Sequence, residues 1–408
     1  MKLARTIATM ARISIPRWRV FGAACLAHIL HDGYSSMLYL LLPSWQMELA
    51  LSLTQVGILK SIYSAAMAIG QLPASRVGER WSERLPLVAG TFLTASAVVA
   101  LYWAATPLAL GLLLAIGGLG ASVQHPLAST IISRVYGGSA LRSKLGTYNF
   151  TGDLGKMAIP ALLTVLIAAF GWRSATLSIG AVGLATAAIL LIALPPRAHG
   201  PAHVGQQQTP RRPPLAEPVR RRSFAVLSLV GMLDSATRTG FLTFLPFVLA
   251  RKGADTAVVG TALSLVFAGG AVGKFACGRL ATRIGILRTV AATELGTALA
   301  ILALLVLPLS VALALMPVLG IMLNGTSSVL YGTVPELAPS GHEARAFGFF
   351  YTVTIGADAV APTLYGGVAD AIGLSGSFLL VTVVVLLILP LLAVLRPAVH
   401  EHREWSTS

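Results

Sequence analysis

The sequence predicts an all-α membrane protein with twelve transmembrane helices in two pseudo-symmetric six-helix halves. Three observations support this fold class: low charge, long apolar runs and an internal repeat. Of the 408 residues, 55% are hydrophobic and only 11% are charged, whereas about a quarter of the residues in a soluble protein are charged. So few charges could not cover a soluble surface, and lipid must therefore be the solvent for much of the chain.

The apolar runs predict where the chain crosses the bilayer, because a spanning helix needs about 20 largely apolar residues. The predicted spans are 20–43, 53–74, 85–104, 107–133, 145–170, 174–194, 223–249, 256–278, 289–307, 309–334, 346–371 and 373–395.

The placement of basic residues predicts the orientation of these spans. If both termini are cytoplasmic, the inside segments hold 23 of the 30 Lys and Arg residues and the outside loops hold three. This asymmetry follows the positive-inside rule and predicts a multi-pass protein of the bacterial cytoplasmic membrane with both termini in the cytoplasm. It also accounts for the net charge of +15 without a nucleic-acid partner.

The segment 195–222 separates the two halves. It is rich in Pro and Gln, ends in three arginines and has no apolar run, which is typical of a flexible linker. The predicted domains are therefore an N-terminal half at 1–194, a cytoplasmic linker at 195–222 and a C-terminal half with a short tail at 223–408.

The two halves repeat at nearly constant offsets. Pro43 and Gly57 recur 203 positions later, and Pro160 recurs 202 positions later as Pro362. A repeat of six-helix halves is a transporter architecture in which the substrate site lies near the bilayer midplane, between the repeats.

These features resemble the major facilitator superfamily over essentially the whole chain. The resemblance is carried by the loop between the second and third spans of each half, and it assigns conformational gating to Arg76, Gly78, Gly278, Arg283 and Gly285. The acidic residue that the family has in this loop is replaced by Ser75 and Thr282. The resemblance implies a carrier that works as a monomer.

Two segments resemble the fosmidomycin-resistance efflux branch of that family, HILHDGYSSMLYLLLPSWQMELALSLTQVG at 28–57 and GASVQHPLAS at 120–129. The chain departs from the branch at His31, where Asn is usual, and at Leu127, where Glu is usual. The branch implies export of drugs or small organic anions.

Charged side chains within the spans are the candidate functional residues, because a charge at the bilayer centre costs about 2.5–3.5 kcal/mol. Asp32 lies midway along the first span, and His28 is four residues before it on the same helical face, whereas His31 points elsewhere. A desolvated carboxylate beside an imidazole can load and release a proton near neutral pH. The alternative is a static hydrogen bond between helices.

Lys156 and Asp358 stand four residues before the repeated prolines, so they occupy equivalent positions in spans 5 and 11. One interpretation is a central cavity with a cationic and an acidic wall. In this interpretation Lys156 binds a negative solute group, and Asp358 takes part in proton coupling or gating. The alternative is a Lys156–Asp153 ion pair within one helix and a protonated Asp358.

Further polar residues at span depth complete the predicted site. Arg238 is a second candidate anion ligand, and with Asp234 it could equally form a structural pair at i,i+4. The remaining candidate substrate-binding residues are His125, Gln124, Tyr148, Asn149 and Asn324. Lys60 and Lys274 lie near span ends and are predicted to extend towards the lipid headgroups.

Motifs for other chemistry are absent from the sequence. There is no P-loop, GxSxG or HExxH motif, and the two cysteines are not in a CxxC, so we predict neither an enzyme nor a cofactor. His28, His31 and Asp32 cannot form a complete metal-ligand set on one helix, so no metal is predicted.

The sequence thus predicts a secondary active transporter whose partners are a small-molecule substrate, protons and the lipid bilayer. Proton-coupled export of a drug or small organic anion is the first interpretation. Proton-linked uptake of an organic anion is an alternative, and a membrane sensor without transport is another.

Overall fold

The computed structural model describes residues 16–80, 82–195, 217–338 and 343–406, which form helices joined by short turns, with no strand within these ranges. We label the α-helices α1 to α12; a short 3-10 turn, Leu101–Trp103, follows α3. They are α1 Arg17–Leu49, α2 Leu53–Arg80, α3 Arg84–Ala100, α4 Pro107–Ala121, α5 Gln124–Val135, α6 Gly138–Ala193, α7 Glu217–Arg251, α8 Thr256–Ile284, α9 Ile286–Val306, α10 Leu309–Leu337, α11 Glu343–Leu386 and α12 Ile388–Ser406.

Two helices are too long for a single crossing, and each is broken at a glycine. Gly171 has φ 76° inside α6 and Gly373 has φ 85° inside α11, a left-handed backbone that glycine adopts without the strain of a Cβ. The two glycines stand 202 positions apart, the same offset as Pro160 and Pro362. The repeat predicted from sequence therefore includes the turn between spans 5 and 6 and its counterpart between spans 11 and 12.

The fold class is confirmed, and the helices fit twelve crossings. Seven helical stretches of the described residues have the length and hydropathy of membrane spans. Two of them, Ser143–Ala193 and Arg345–Pro397, are 51 and 53 residues long, enough for two crossings each. The long helices α1, α2 and α7 lie outside these seven stretches.

The helix α7 begins six residues before the predicted start of its span. Glu217 lies in its first turn, where a carboxylate is favourable at the positive helix end. It also pairs with Arg221 one turn later at 3.1 Å. The predicted linker is therefore helical from residue 217, and its stretch 196–216 lies outside the described residues.

The two ends of the helix bundle are packed differently. We call the end where α1 begins and α12 ends the terminal end, and the opposite end the distal end. The largest buried apolar cluster joins both halves and includes Trp45, Phe244 and Phe378. At the terminal end the buried apolar side chains form separate clusters, one within each half.

Close contacts between the halves support this difference. A Cβ on Gly57 of α2 would collide with the carbonyl of Pro362 on α11, and one on Gly260 of α8 would collide with the hydroxyl of Thr164 on α6. Gly57 and Gly260 are repeat partners, so the same backbone approach occurs twice. The halves are therefore packed closely against each other at the distal end and less closely at the terminal end.

A carboxylate strengthens the distal contact. Asp370 of α11 accepts hydrogen bonds from the backbone N–H groups of Leu53 and Thr54, at 2.9 and 2.8 Å. These N–H groups belong to the first turn of α2, where no helical partner is available. The C-terminal half therefore caps a helix of the N-terminal half.

Candidate functional site

Asp32 lies buried at the centre of a cluster drawn from three helices. Its carboxylate lies 3.4 Å from Nε2 of His28, 3.5 Å from Nε2 of His125 and 3.1 Å from Nζ of Lys156. Its neighbours lie on α1, α5 and α6, and Asp32 itself is 7% exposed. The predicted His28–Asp32 contact is confirmed, and the two partners from other helices were not predicted for it.

The tautomer of His28 is set by a backbone carbonyl. Nδ1 of His28 lies 2.7 Å from the carbonyl oxygen of Tyr148, and a carbonyl can only accept, so Nδ1 carries the hydrogen. The ring is held in place by stacking on Tyr148 with a centroid separation of 4.1 Å. Its Nε2 therefore faces Asp32, and a proton on either group can be shared between them.

Other predicted residues support this arrangement indirectly. Nε2 of Gln124 donates to the hydroxyl of Tyr148 at 2.9 Å, and both side chains are buried. Gln124 thereby fixes the ring of Tyr148, on which His28 stacks. His31 bonds to Thr91 of α3 at 3.0 Å instead, which confirms that it points away from Asp32.

A row of alternating charges continues from Asp32 into the other half. Lys156 lies 3.1 Å from Asp32 and 3.6 Å from Asp153. Both carboxylate oxygens of Asp153 accept from Nζ of Lys274, at 2.6 and 2.8 Å. The order of the row is Asp32, Lys156, Asp153, Lys274, with the last member on α8 of the C-terminal half.

The prediction that Lys274 extends towards the headgroups is wrong. A long lysine side chain near a span end can reach in either direction, and here a carboxylate on the facing helix α6 holds it inside the bundle. The sequence places Asp153 and Lys274 121 positions apart, so helix periodicity could not connect them.

The C-terminal half has its own charged cluster on α7 and α11. Asp358 accepts from the hydroxyls of Ser235, at 2.9 Å, and Thr239. Arg238 donates to Ser235 at 3.0 Å and lies 3.6 Å from Asp234, which confirms the predicted i,i+4 contact. The partners of Asp358 are thus hydroxyl groups of another helix.

Lys60 is also buried instead of extending to the bilayer surface, so that prediction is wrong. It is 5% exposed, donates to Ser64 at 2.8 Å and lies over the rings of Tyr39 and Tyr63, at 5.4 and 5.8 Å from their centroids. The ring faces and the attraction of Asp358 stabilise the ammonium there.

The remaining predicted residues lie outside these clusters. Asn149 is exposed on α6, and Asn324 donates to a backbone carbonyl of its own helix at 3.2 Å. Gly278 and Arg283 lie towards the end of α8, which stops at Gly285 with φ 97°. Arg76 and Gly78 lie in α2, and their side chains are outside the described residues. The gating roles remain predictions.

One buried carboxyl inside a predicted span was missed by the sequence reasoning. Glu294 of α9 is 2% exposed and contacts the hydroxyl of Thr326. Within the described part of the chain, its Oε1 has no hydrogen-bond partner. A scan for every acidic residue inside the predicted spans would have found it.

Three of the clustered groups have the spacing of metal ligands. Ligand atoms of His28, Asp32 and His125 lie within 4.8 Å of one another. However, the ammonium of Lys156 already contacts Asp32, and it would repel a cation bound there. The arrangement therefore disfavours a metal ion at Asp32.

Comparison with known proteins identifies the family. The family model described as Major Facilitator Superfamily matches residues 24–354 and 227–408. The chain belongs to this superfamily. It is therefore a membrane transporter and not an enzyme, and carriers of the superfamily bind small-molecule substrates and usually work as monomers.

Curated members of the superfamily match parts of the chain. The Fosmidomycin resistance protein of Escherichia coli is 29% identical over 167 residues, 40% of this chain and 39% of that protein. The Probable L-galactonate transporter of Escherichia coli is 27% identical over 34% of this chain and 30% of that protein. The 4-hydroxybenzoate transporter PcaK of Pseudomonas aeruginosa is 28% identical over 44% of this chain and 40% of that protein. The matches span less than half of these relatives.

Solved structures of the superfamily share the fold over nearly the whole chain. A bacterial homologue of the human lysosomal transporter Spinster, in an inward-facing and occupied conformation, superposes with TM-score 0.77 at 15% identity, covering 94% of this chain and 97% of that chain. A mutant of the nucleoside transporter NupG gives TM-score 0.77 at 14% identity, with coverage of 93% and 99%. At these identities the likeness shows the major facilitator fold alone.

Proposed function

We propose that the protein is a proton-coupled carrier of a small organic anion. The observation that carries this proposal is that Lys156, the candidate anion ligand, is bound to Asp32, the candidate proton acceptor, at 3.1 Å. Binding of an anion to Lys156 and binding of a proton to Asp32 therefore both require this one ion pair to break.

The proton site consists of Asp32 with the two imidazoles. His28 presents Nε2 to Asp32 because its Nδ1–H is engaged by Tyr148, and His125 reaches the second carboxylate oxygen. Nearly half of the His125 side chain, 46%, is exposed. His125 therefore provides the route between water and Asp32.

The sign of the coupling follows from the shared ammonium. Protonation of Asp32 removes its attraction for Lys156 and frees that ammonium for an anion. By thermodynamic reciprocity, a bound anion also favours protonation of Asp32. Proton and anion are therefore bound together and move in the same direction, which under an inward proton gradient means uptake.

The names of two relatives support an anionic substrate. L-galactonate and 4-hydroxybenzoate are carboxylate anions, and the proteins named for them match this chain over 34% and 44% of its length. The similarity to the Fosmidomycin resistance protein favours the alternative of export by exchange with protons. Exchange requires the opposite sign, with proton binding displacing the solute. In either case we place the protein in the bacterial cytoplasmic membrane with cytoplasmic termini, which makes the terminal end the cytoplasmic end.

The pH dependence of anion binding tests the proposal. Binding of 4-hydroxybenzoate and L-galactonate to the purified protein is measured by calorimetry or thermal shift between about pH 6 and pH 8, where a carboxylate stays ionised. Linkage to one proton predicts affinity that rises as pH falls, by at most about tenfold per pH unit. Affinity that falls as pH falls would favour exchange, and pH-independent binding would contradict proton coupling at this site.

The variant Lys156→Ala tests the anion ligand in the same assay. We expect it to lose carboxylate binding by about tenfold or more, because a charge-assisted hydrogen bond disappears. The neutral analogue 4-hydroxybenzamide is the matched control and should be affected less. An equal loss for both ligands would remove Lys156 from the anion site.

A further inference from the structure

We infer that Lys274 is the residue that makes transport obligatorily coupled, because it completes a row of four charges that is neutral only in the empty and the doubly loaded carrier. This inference rests on the proposed function. Lys274 has a positioning role, since its ammonium acts on the solute and the proton through Asp153 and Lys156.

The row is continuous and crosses the interface between the halves. Asp32, Lys156 and Asp153 belong to α1 and α6, and Lys274 reaches them from α8 with two contacts of 2.6 and 2.8 Å. Alternating access moves one half against the other around the site. The Asp153–Lys274 pair therefore lies on a surface that changes during the cycle.

The charge of the row depends on what is bound. The empty carrier has two carboxylates and two ammonium groups, so its net charge is zero. A proton alone gives a net positive row, and an anion alone gives a net negative row. A proton and an anion together return the row to zero.

The net charge of the row decides which loaded forms of the carrier can close. Closure removes water from the cavity, and an unpaired charge in a dry membrane interior is costly, whereas a neutral set of pairs is tolerated. The empty and doubly loaded carriers can therefore change conformation, and the singly loaded carriers cannot. This is the condition for movement of proton and anion only together.

The charged and titratable groups around the row are consistent with this account. His28 on α1 and His125 on α5 face Asp32, and Tyr148 on α6 supports His28. Arg238 on α7 acts electrostatically on Lys156. The charges of Arg238 and Lys60 are balanced by Asp234 and Asp358 while neither carboxylate is protonated, and the buried Glu294 that interacts with Asp234 and Arg238 adds no charge in its protonated form.

The repeat architecture does not require the crossing pair. The position 202 after Asp153 is Ile355, and none of residues 67–71, which precede Lys274 by 203–207 positions, is charged. The C-terminal half could have carried a matching pair at these positions, and it does not. The pair is therefore a property of this site and not of the fold.

Two single variants should each stop net transport, because neither leaves the empty carrier neutral. Lys274→Gln leaves the row negative when empty and neutral only with a proton alone, so no form that carries the anion can close. Asp153→Asn leaves the row positive when empty and neutral only with an anion alone, so it should exchange anions across the membrane without protons. The double variant Asp153→Asn/Lys274→Gln restores neutrality and should restore coupled net transport, and Lys274→Arg should behave as the wild type.

The test uses proteoliposomes with labelled 4-hydroxybenzoate and measures net uptake under an imposed proton gradient and, separately, exchange against internal unlabelled anion. We expect net uptake by the wild type, Lys274→Arg and the double variant, and at least a severalfold loss in both single variants. Exchange should be lost in Lys274→Gln. In Asp153→Asn exchange should persist and become independent of pH.

The inference is overturned if Lys274→Gln takes up the anion at the wild-type rate, or if the double variant is as inactive as Lys274→Gln. If Lys274→Gln does not fold, the comparison of Asp153→Asn with the double variant decides, and equal net uptake by the two contradicts the inference. Net uptake by the wild type without proton entry, measured with an internal pH dye, would contradict the proposed function instead, while recovery of net uptake in the double variant would still show that the charges of Asp153 and Lys274 must balance.

Discussion

The same contact between repeated helices carries different chemistry in the two halves. Asp32 of α1 and Ser235 of α7 stand 203 positions apart, and Lys156 and Asp358 stand 202 apart. In the N-terminal half this contact is an ion pair of 3.1 Å. In the C-terminal half it is a hydroxyl donating to a carboxylate at 2.9 Å.

One turn earlier on α1, at His28, the two halves also differ in side-chain size. His28 packs on Gly152, where a Cβ would lie 2.5 Å from Nε2 of the ring. The equivalent positions in the other half are Gly231 and Thr354. A Cβ on Gly231 would lie 2.5 Å from Cζ of Phe350 and 3.2 Å from Cγ2 of Thr354. Within the described residues, only the N-terminal half places imidazoles beside its carboxylate.

The fold therefore fixes where side chains meet, while the residue types at those places differ between the halves. The N-terminal cluster has two imidazoles and an ammonium around one carboxylate, whereas Asp358 is bound by hydroxyl groups. We therefore expect proton coupling to depend on the N-terminal half.

The largest effect is expected from Asp32→Asn. The amide keeps the shape of the carboxyl but cannot bind the proton, so accumulation driven by a pH gradient should fall to the equilibrium level. Exchange of labelled for unlabelled anion should persist, because Lys156 is still available. Both are measured in proteoliposomes, with Ser235→Ala at the equivalent position as control. Continued accumulation by Asp32→Asn would show that Asp32 is not the coupling group, and an equal loss in Ser235→Ala would show that both halves take part in coupling.

A smaller effect is expected from Gly152→Ala. The added Cβ would lie 2.5 Å from Nε2 of His28 and 2.6 Å from Oδ2 of Asp32, so these side chains must move apart. Overpacking of this kind costs about 1–3 kcal/mol, and the rate of proton-linked transport should fall with it.

The control for this change is Gly146→Ala on the same helix α6, where a new Cβ would have no atom within 4 Å. It should leave transport unchanged and stability equal or slightly higher, since alanine favours helix. Thermal unfolding and transport of both variants are compared. Equal transport rates and unfolding temperatures for the two variants would show that contact with the His28–Asp32 pair does not restrict the side chain at position 152.

The smallest effect concerns an asymmetry at the distal end. Glu48 forms a salt bridge with Arg173 and accepts from Nε1 of Trp172 at 2.7 Å, while the equivalent positions hold Arg251, Leu374 and Ser375. Burial acts to raise the pKa of Glu48, but the hydrogen bonds from Arg173 and Trp172 outweigh it and hold the pKa below its ordinary value.

Glu48→Gln should therefore lower stability by no more than about 1 kcal/mol, because the pair is partly exposed. A lowered carboxyl pKa stabilises the fold at neutral pH, and this contribution disappears as the pH falls through that lowered value. The difference in Tm between wild type and variant should shrink at acidic pH. A difference that grows on acidification would contradict the assignment.

Contacts within one helix could be predicted from the sequence, whereas contacts between helices could not. The pairs His28–Asp32, Asp153–Lys156 and Asp234–Arg238 follow from a period of 3.6 residues, and the structure has all three. His125 reaching Asp32 depends on how two distant segments pack. Lysine was the hardest residue to place, because four rotatable bonds allow Lys60 and Lys274 to turn inwards.

Composition alone determined that the protein is helical and lies in a membrane, because too few charges are present to cover a surface in water. The constant offsets determined the two halves, since equal spacing along a helical chain places equivalent residues at equivalent depths. The packing of the helices, by contrast, makes Lys156 contact Asp32 more closely than Asp153 and brings Lys274 across to the other half. The rotation and approach of packed helices select which partner each buried charge can reach.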